Sequence, residues 1–160
     1  LDSSLNRLQE GVSMVRQKNV LLSDTIKENL QCGDEKASKD QIRKAAESAQ
    51  AEGFIQKLAD GYDTGLGQGG VNVSGGQKHR LCIARALLKR PKLLILADST
   101  TAVDTATEAK IREAFSTTLK ETTKLIIAQR IGPVMEADQN VVMDEGKIVG
   151  LGKHEKILGT

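Results

Sequence analysis

Aromatic residues are scarce in this chain of 160 residues, which contains no tryptophan, one tyrosine and two phenylalanines. Proteins that bind RNA or single-stranded DNA stack bases on clustered aromatic side chains, and three such residues are too few for that surface. Charge of one sign is also lacking, because 23 lysines and arginines against 21 aspartates and glutamates leave a net charge of +2. The composition therefore argues against a nucleic-acid partner.

Cysteine motifs and long apolar runs are absent as well. Cys32 and Cys82 form no C-x-x-C pair, so neither a zinc site nor a disulfide framework is indicated, and a reducing compartment fits. The longest apolar run, near Leu93, has about five residues, whereas a membrane span needs about 20. Any membrane span is thus expected in other sequence. We predict that His79 and His154, which have polar neighbours, are solvated surface residues.

The most informative stretch that is present is VSGGQKHRLCIARALLKR, residues 73–90. Ser74, Gly75 and Gly76 precede a segment whose apolar residues recur at helical spacing, so the turn leaves backbone N–H groups free at a helix start. Together with the helix dipole, such an end attracts anions. Taken alone, the turn is explained equally well by a plain helix cap.

The sequence that follows, PKLLILADSTTAVD, adds a buried strand that ends in carboxylates. Residues 93–96 form a continuous apolar run, which predicts a strand covered on both faces of a parallel sheet. Asp98 stands at its carboxyl end, and Asp104 follows in the next loop. Ligands of open α/β sheets collect at that edge.

Alternating periodicities along the rest of the chain predict the α/β fold class. The opening LDSSLNRLQEG is polar, and no element is predicted there. The predicted elements are a strand at 12–15, a helix capped by Ser23 or Asp24 and running through Leu30, helices at 39–50, 52–58, 75–89 and 106–119, strands at 92–97 and 124–128, and a hairpin at 140–144 and 147–150.

This order of motifs resembles the ATP-binding-cassette (ABC) ATPases of exporter type, in which SGGQ is the signature motif and the apolar strand is Walker B. VRQKNVLLSDTIKENL resembles the exporter Q-loop and the segment after it, with Gln17 as the glutamine, and DGYDTGLGQGG resembles the X-loop. LIIAQR is similar to the switch strand, with Gln129 where most members carry histidine. Gln129, together with Gln68 of the X-loop, is similar to one half of heterodimeric bacterial exporters.

The resemblance implies a P-loop NTPase-like ABC ATPase core, with a parallel sheet and helices, plus an α-helical subdomain. Residues 1–18 would form the core strand and Q-loop, residues 19–89 the helical subdomain with X-loop and signature, and residues 90–160 the core with Walker B, D-loop, switch and C-terminal hairpin. No G-x-x-x-x-G-K-[ST] motif occurs in the sequence. We therefore expect a partial nucleotide-binding domain that lacks the Walker A region and belongs to a longer polypeptide.

The family spacing assigns the residues at the end of the Walker B strand. Counting back from the D-loop aspartate, Asp104, reaches Ala97 at the position of the Mg²⁺ aspartate, so Asp98 stands where the catalytic glutamate belongs. A slip of one residue would instead make Asp98 the metal ligand and leave Ser99 as the base. The alanine at this metal-ligand position is either natural to the protein or an engineered replacement. Ser99 and Thr100 are interpreted mainly as turn and cap residues.

Two glutamines complete the chain's own site. Gln129 can hydrogen-bond a γ-phosphate, but an amide cannot carry the positive charge of imidazole. Gln17 is either an exposed loop residue or, as the resemblance implies, the Q-loop residue that reaches Mg²⁺ and links the site to transmembrane domains. Asp98 and Gln129 are therefore the catalytic candidates, Gln17 is the candidate ligand of ATP and Mg²⁺, and the chain's own site is expected to be degenerate.

In ABC proteins two nucleotide-binding domains pair head to tail, so that the signature and D-loop of one complete the ATP site of the other. The resemblance thus implies that this chain binds the partner's ATP through Ser74, Gly75, Gly76, Gln77 and Asp104. Asp104 is alternatively only a cap of the helix after it. Residues 19–60 would form the surface on which coupling helices of transmembrane domains dock.

The expected function is therefore that of the ATP-hydrolysing subunit of an ABC exporter, one half of a heterodimer at the cytoplasmic face of the cell membrane. The isolated chain is expected to be inactive. The alternative is a non-catalytic, truncated cassette that acts as a dimerisation or binding module. An ABC ATPase without a transport role is a third reading, and the matches to the exporter Q-loop and X-loop disfavour it.

Overall fold

The computed structural model describes residues 2–16, 18, 20–97, 103–129 and 132–157. Its centre is a parallel sheet of three strands in the order β1-β2-β3, which are Val12–Val15, Leu93–Ala97 and Thr123–Ile127. In the register of the sheet, Val15 pairs with Leu96, and Ala97 pairs with Ile127. The carboxyl ends of the three strands therefore lie at one edge. The α/β class and the parallel sheet are confirmed.

The other elements are helices and a separate hairpin. The antiparallel hairpin consists of β4 (Asn140–Asp144) and β5 (Lys147–Gly152), with a bulge between Val142 and Met143. The helices are α1 Asp2–Gly11, α2 Ile26–Gln31, α3 Lys39–Ser48, α4 Glu52–Ile55, α5 Gly75–Leu88, α6 Thr105–Thr118 and α7 His154–Ile157, with 3₁₀ turns at Gly61–Asp63 and Gly132–Val134; the hairpin strands are β4 Asn140–Asp144 and β5 Lys147–Gly152. None of the helices in the described ranges is long and apolar enough to span a membrane.

Side-chain caps explain where α2, α3 and α5 begin. Thr25, Ser38 and Ser74 each form a capping box, in which the cap hydroxyl accepts from the third helical N–H and the third side chain accepts from the cap N–H. The prediction that Ser23 or Asp24 caps α2 is therefore wrong. Thr25 is the cap because only Thr25 has a glutamate, Glu28, three residues later.

One core joins the sheet to the helices. Among the largest fully buried side chains are Ile26, Leu30, Ile55, Leu81 and Leu94, which come from α2, α4, α5 and β2. The helix α5 contacts α2, α3 and β1, so it lies between the helical part and the sheet. Burial alternates along β2: Leu94 and Leu96 are buried, whereas Leu93 and Ile95 are half-buried. The prediction that β2 is covered on both faces is therefore correct only in part. The face with Leu94 and Leu96 is buried, whereas the face with Leu93 and Ile95 is half-buried.

In two segments the observed elements differ from the prediction. The polar opening segment forms the helix α1, whose Leu5 and Leu8 are 55% and 67% exposed. The predicted helix at 52–58 ends at Ile55, because the chain turns there toward the 3₁₀ turn at Gly61–Asp63. The other predicted elements are found, with ends shifted by at most two residues.

Candidate functional site

The signature turn forms the first turn of α5. The Ser74 Oγ accepts a hydrogen bond from the Gln77 N–H at 3.2 Å, and the Gln77 Oε1 accepts one from the Ser74 N–H at 2.9 Å. The Lys78 N–H donates to the Ser74 carbonyl at 2.9 Å. The cap that the sequence suggested is thus present, and it occupies the polar side chains of Ser74 and Gln77.

Two N–H groups stay available at this helix end, those of Gly75 and Gly76. Neither donates a hydrogen bond to any acceptor within the described ranges. Gly75 is exposed, a Cβ built on it would meet no atom within 4 Å, and the first turn of α5 contains no acidic residue. An anion can therefore approach the Gly75 N–H directly, the half-buried Gly76 lies next to it, and the helix dipole adds about half a positive charge there.

Arg80 attaches the next turn of α5 to the helical part. Its Nη1 donates to the Gln50 carbonyl at 2.8 Å, and its Nε donates to the Gly76 carbonyl at 3.2 Å. The guanidinium lies over the ring of Phe54, 4.9 Å from the centroid. Burial lowers the pKa of Arg80, and the negative charge of Asp104 opposes this shift. Arg80 thereby fixes the direction in which the signature turn points.

His79 is buried, with 2% of its surface exposed, so the prediction of a solvated histidine is wrong. Burial lowers the pKa of His79 to about 4, which keeps the imidazole neutral near pH 7. The sequence did contain a signal for this position. Ile83 and Ala86, four and seven residues later, lie on the same buried face of α5.

Asp104 caps α6. Its carboxylate accepts hydrogen bonds from the Thr107 N–H at 2.9 Å and from the Thr107 hydroxyl at 2.7 Å. These hydrogen bonds lower the pKa of the Asp104 carboxyl, so the cap is charged at neutral pH. The structure thus shows the cap that the sequence offered as one interpretation. The D-loop role of Asp104 stays a prediction.

Along the sequence, three predicted site residues follow the last residue of a sheet strand by one or two positions. Gln17 follows β1 and Asp98 follows β2, and both lie outside the described residues, as do Ser99 and Thr100. Gln129 follows β3 and is exposed. Because the register aligns the carboxyl ends of the strands, the chain leaves the sheet at one edge in all three places.

The X-loop pairs with the segment that follows the Q-loop. The Ile26 N–H donates to the Thr64 carbonyl at 3.0 Å, and the Leu66 N–H donates to the Asp24 carbonyl at 2.9 Å. Gly70 has a φ of +69°, and a Cβ there would lie 3.2 Å from atoms of Leu21 and Lys78. Glycine is therefore required where this loop crosses between the Q-loop segment and α5.

Asn29 is a positioning residue that the sequence analysis missed. It is fully buried, its Oδ1 accepts from the Leu22 N–H at 2.8 Å, and its Nδ2 donates to the carbonyls of Leu22 at 3.1 Å and Thr25 at 3.0 Å. The side chain thus holds the bend between the Q-loop segment and α2. An asparagine on the apolar side of a short helix, with Ile26 and Leu30 beside it, was the available signal.

A cleft of about 470 Å³ lies between β1, the C-terminal half of α5 and the segment after β1; we call it the β1–α5 cleft. It is lined by Val12, Ser13, Met14, Val15, Arg16, Lys18, Val20, Leu22, Cys32, Gly33, Cys82, Arg85, Ala86 and Lys89. Ligand-binding clefts of proteins commonly have volumes of this size. In the part of the chain that the structure describes, no three His, Cys, Asp or Glu side chains come together as a metal site.

A family profile described as "ABC transporter" matches residues 2–102, which is more than half of the chain. The chain therefore belongs to the ABC transporter family. This ABC chain is 49% identical over 151 residues to an uncharacterized ABC transporter ATP-binding protein, YfiB, of Bacillus subtilis, covering 94% of the chain and 26% of that protein. It is 44% identical over 158 residues to an ATP-dependent lipid A-core flippase of Hahella chejuensis, and the match covers 98% of this chain and 27% of that protein.

The fold of the ABC chain also matches a solved exporter. A bacterial Atm1-family ABC exporter with ATP bound superposes with a TM-score of 0.92 at 35% identity, covering 96% of this chain and 27% of that one. The resemblance to exporter-type ABC ATPases is thereby confirmed. The chain spans about a quarter of the length of the relatives that it matches.

Proposed function

We propose that this chain is part of the ATP-binding and ATP-hydrolysing domain of an ABC exporter, in which ATP hydrolysis drives transport across a membrane. Relatives named as a lipid A-core flippase and as a putative multidrug export protein, the latter of Staphylococcus aureus, support this class of function. The observation that carries the proposal is the open end of α5, where the N–H groups of Gly75 and Gly76 are free to bind a phosphate.

The ATP that this end binds is proposed to lie on a second nucleotide-binding domain. The resemblance implies this arrangement, because in ABC proteins the signature of one domain meets the ATP that the phosphate loop of the other domain holds. The free N–H groups of Gly75 and Gly76 donate to the γ-phosphate across a head-to-tail dimer. Ser74 and Gln77 hold the helix end in shape, and Asp104 supplies the D-loop carboxylate.

The chain's own site is proposed to be degenerate, with Asp98 and Gln129 in the catalytic positions and Gln17 in the Q-loop. Ala97 cannot bind a metal, and Gln129 cannot donate a proton as an imidazolium does. Mg²⁺ neutralises charge on the phosphates when it is bound with ATP. Proteins usually hold Mg²⁺ through one or two side chains together with waters and phosphates, and Gln17 is the residue of this chain proposed to reach it.

Transmembrane domains are the second proposed partner. Residues 19–60 are proposed to form the surface on which coupling helices of such domains dock, and the β1–α5 cleft borders this stretch at Val20, Leu22 and Cys32. We propose that the chain lies at the cytoplasmic face of the membrane in this arrangement. The cleft and the signature share α5, so docking and ATP binding act on one helix.

The substitution Ser74→Arg tests the role of the signature. In the assembled transporter we expect the ATPase rate to fall at least about 100-fold, because the arginine fills the space that a phosphate needs. Ser116→Arg is the control, since Ser116 is exposed on α6, outside both the signature and the proposed docking surface at 19–60. It should change the free energy of unfolding by less than about 0.5 kcal/mol and leave the ATPase rate unchanged. Equal rates in both variants would reject the phosphate-binding role of Ser74.

The substitution Asp104→Asn separates the two interpretations of Asp104. Asparagine caps helices as well as aspartate does, so α6 and the thermal stability should be unchanged. If the D-loop needs the charge, the ATPase rate of the assembly falls about tenfold or more. An unaltered rate would leave Asp104 with the capping role alone.

A non-catalytic dimerisation module is the alternative function, and Ala97 with Gln129 is the observation that favours it. The two functions differ in the assembled protein. A catalytic assembly releases phosphate from ATP over many turnovers, whereas a module of the second kind forms the dimer without release. Measuring phosphate release and dimerisation on the same sample decides between them.

A further inference from the structure

The charged side chains of the β1–α5 cleft are all basic. Arg16, Lys18, Arg85 and Lys89 line it, and no aspartate or glutamate is among its described lining residues. Within the described ranges, no carboxylate lies within the 4.0 Å ion-pair distance of these four side chains. The C-terminal end of α5 offsets about half of one charge. The cleft therefore keeps most of its positive charge, which no carboxylate of the described residues neutralises.

Hydrogen bonds to neutral carbonyls hold two of these cations in place. The Arg85 Nη2 donates to the Val20 carbonyl at 3.0 Å. The Lys89 Nζ donates to the carbonyls of Gln9 at 2.7 Å and Val12 at 3.0 Å. These bonds fix the positions of the ammonium and guanidinium groups without removing their charge. An incoming anion thus meets groups that are already oriented.

Ser13 adds an unused donor to the same cleft. Only 5% of its surface is exposed, and its Oγ has no hydrogen-bond partner among the described residues. A buried hydroxyl without a partner is costly, so such groups are normally satisfied by a protein group, a ligand or water. A carboxylate that reached the cleft would accept a hydrogen bond from this hydroxyl.

We propose that the β1–α5 cleft binds an acidic segment of the membrane-spanning partner, whose carboxylates pair with the basic side chains and accept a hydrogen bond from Ser13. The proposal rests on the proposed function and names the chemistry of the docking segment. Arg85 belongs to α5 and also holds Val20 of the segment after the Q-loop. A docked carboxylate therefore acts on the helix whose other end presents Gly75 and Gly76.

Alkylation of Cys32 tests the proposal in the full polypeptide assembled with its membrane partner. Cys32 lines the cleft and is exposed in this chain, whereas Cys82 is buried. The rate of its reaction with N-ethylmaleimide is measured by mass spectrometry. The double variant Arg16→Glu with Lys18→Glu reverses the charge at two exposed positions. The control Lys110→Glu with Lys120→Glu makes the same charge change outside the cleft.

We expect slow alkylation of the wild type and of the control at low salt. The cleft variant, and the wild type in about 1 M NaCl, should react about tenfold faster or more, because like charges repel the segment and salt screens the attraction. Slow alkylation in all forms would overturn the proposal that the docked segment is acidic, but it would leave the docking itself, as given under the proposed function, intact. Wild-type alkylation as fast as in urea-unfolded protein would overturn both. Equal acceleration in cleft and control variants would overturn the acidic segment.

Discussion

At the scale of single residues, the buried imidazole of His79 couples stability to pH. Burial lowers its pKa to about 4 in the folded state, so the unfolded chain, whose histidine pKa is near 6.5, takes up the proton first as the pH falls. This contribution is therefore fully present above pH 6.5 and is lost as the pH falls toward 4. From pH 7 to pH 5, we expect it to remove about 2 kcal/mol from the free energy of unfolding.

The variant His79→Gln should lose this part of the pH dependence, and His154→Gln, at a half-buried position, should retain it. Urea unfolding of the three proteins at pH 7 and pH 5 measures the difference. If the His79→Gln variant lost as much stability between pH 7 and pH 5 as the wild type, another group would be titrating.

Asn29 supports a second prediction at this scale. Replacing it by alanine leaves the Leu22 N–H and two carbonyls without their buried partner. We expect Asn29→Ala to lower the free energy of unfolding by about 2–4 kcal/mol. Gln31→Ala, two residues later on α2, should change it by less than about 0.5 kcal/mol. Urea unfolding distinguishes the two, and a small loss at both positions would contradict the role of Asn29.

Individual residues also show which signals the sequence carried. The flanking Lys78 and Arg80 favoured a solvated His79, while its spacing to Ile83 placed it on the apolar face of α5. The T-x-x-E pattern of Thr25 and Glu28 identified the cap of α2. Local periodicity and cap patterns were thus sufficient at both positions, and composition of the neighbours was misleading.

At the scale of elements, Arg80 joins α5 to the end of α3 and to Phe54 of α4. Arg80→Ala removes two hydrogen bonds and the contact with the ring, so we expect a loss of about 1–3 kcal/mol. Arg80→Lys should recover only part of it, because an ammonium lacks the planar fork that reaches both carbonyls.

The control for this prediction is Arg112→Ala. Arg112 forms an ion pair with Glu108 at 3.5 Å on the surface of α6, and such pairs contribute little, so we expect a loss of less than about 1 kcal/mol. The free energy of unfolding from urea titration is again the measurement. A fully stable Arg80→Lys variant would show that charge alone connects these helices.

Most elements could be predicted from the sequence because their signals are local. The apolar run at 93–96 and the cap at Ser74 both lie inside the elements that they define. The helix α1 could not be predicted from the sequence, since its leucines are exposed and give no buried stripe. Contacts between elements could not be predicted either, because their partners are far apart in sequence: Arg80 bonds to Gln50, 30 residues earlier, and Arg85 bonds to Val20, 65 residues earlier. Such pairs depend on how the helices pack.

At the scale of the whole molecule, the strand order explains why the candidate site could be predicted in part. The carboxyl ends of β1, β2 and β3, which precede the candidate residues, lie at one sheet edge in the order β1-β2-β3. A buried parallel strand predicts that edge, whereas the strand order comes from the structure. The basic charge of the β1–α5 cleft was hidden, because its members come from α5 and from the segment after β1. Only the fold brings these two stretches together.

Exposed apolar side chains on the β4–β5 hairpin lead to the last prediction. Met143 and Ile148 face each other across the hairpin, and each is 64% exposed. Val141 and Leu151 are 52% and 61% exposed beside them. A contiguous apolar patch of this kind promotes association. We therefore expect the isolated 160-residue chain to self-associate and to bind the dye ANS.

The double variant Met143→Lys with Ile148→Glu should reduce both effects, because it places an opposite-charge pair across the strands and keeps the hairpin paired. Val71→Lys is the control, since Val71 is 76% exposed but lies outside the hairpin. Sedimentation velocity and ANS fluorescence measure the outcome. Because a lone exposed valine is ordinary on a protein surface, its replacement should change neither signal. If the hairpin variant and the Val71→Lys control self-associated equally, the surface responsible for association would lie outside the hairpin.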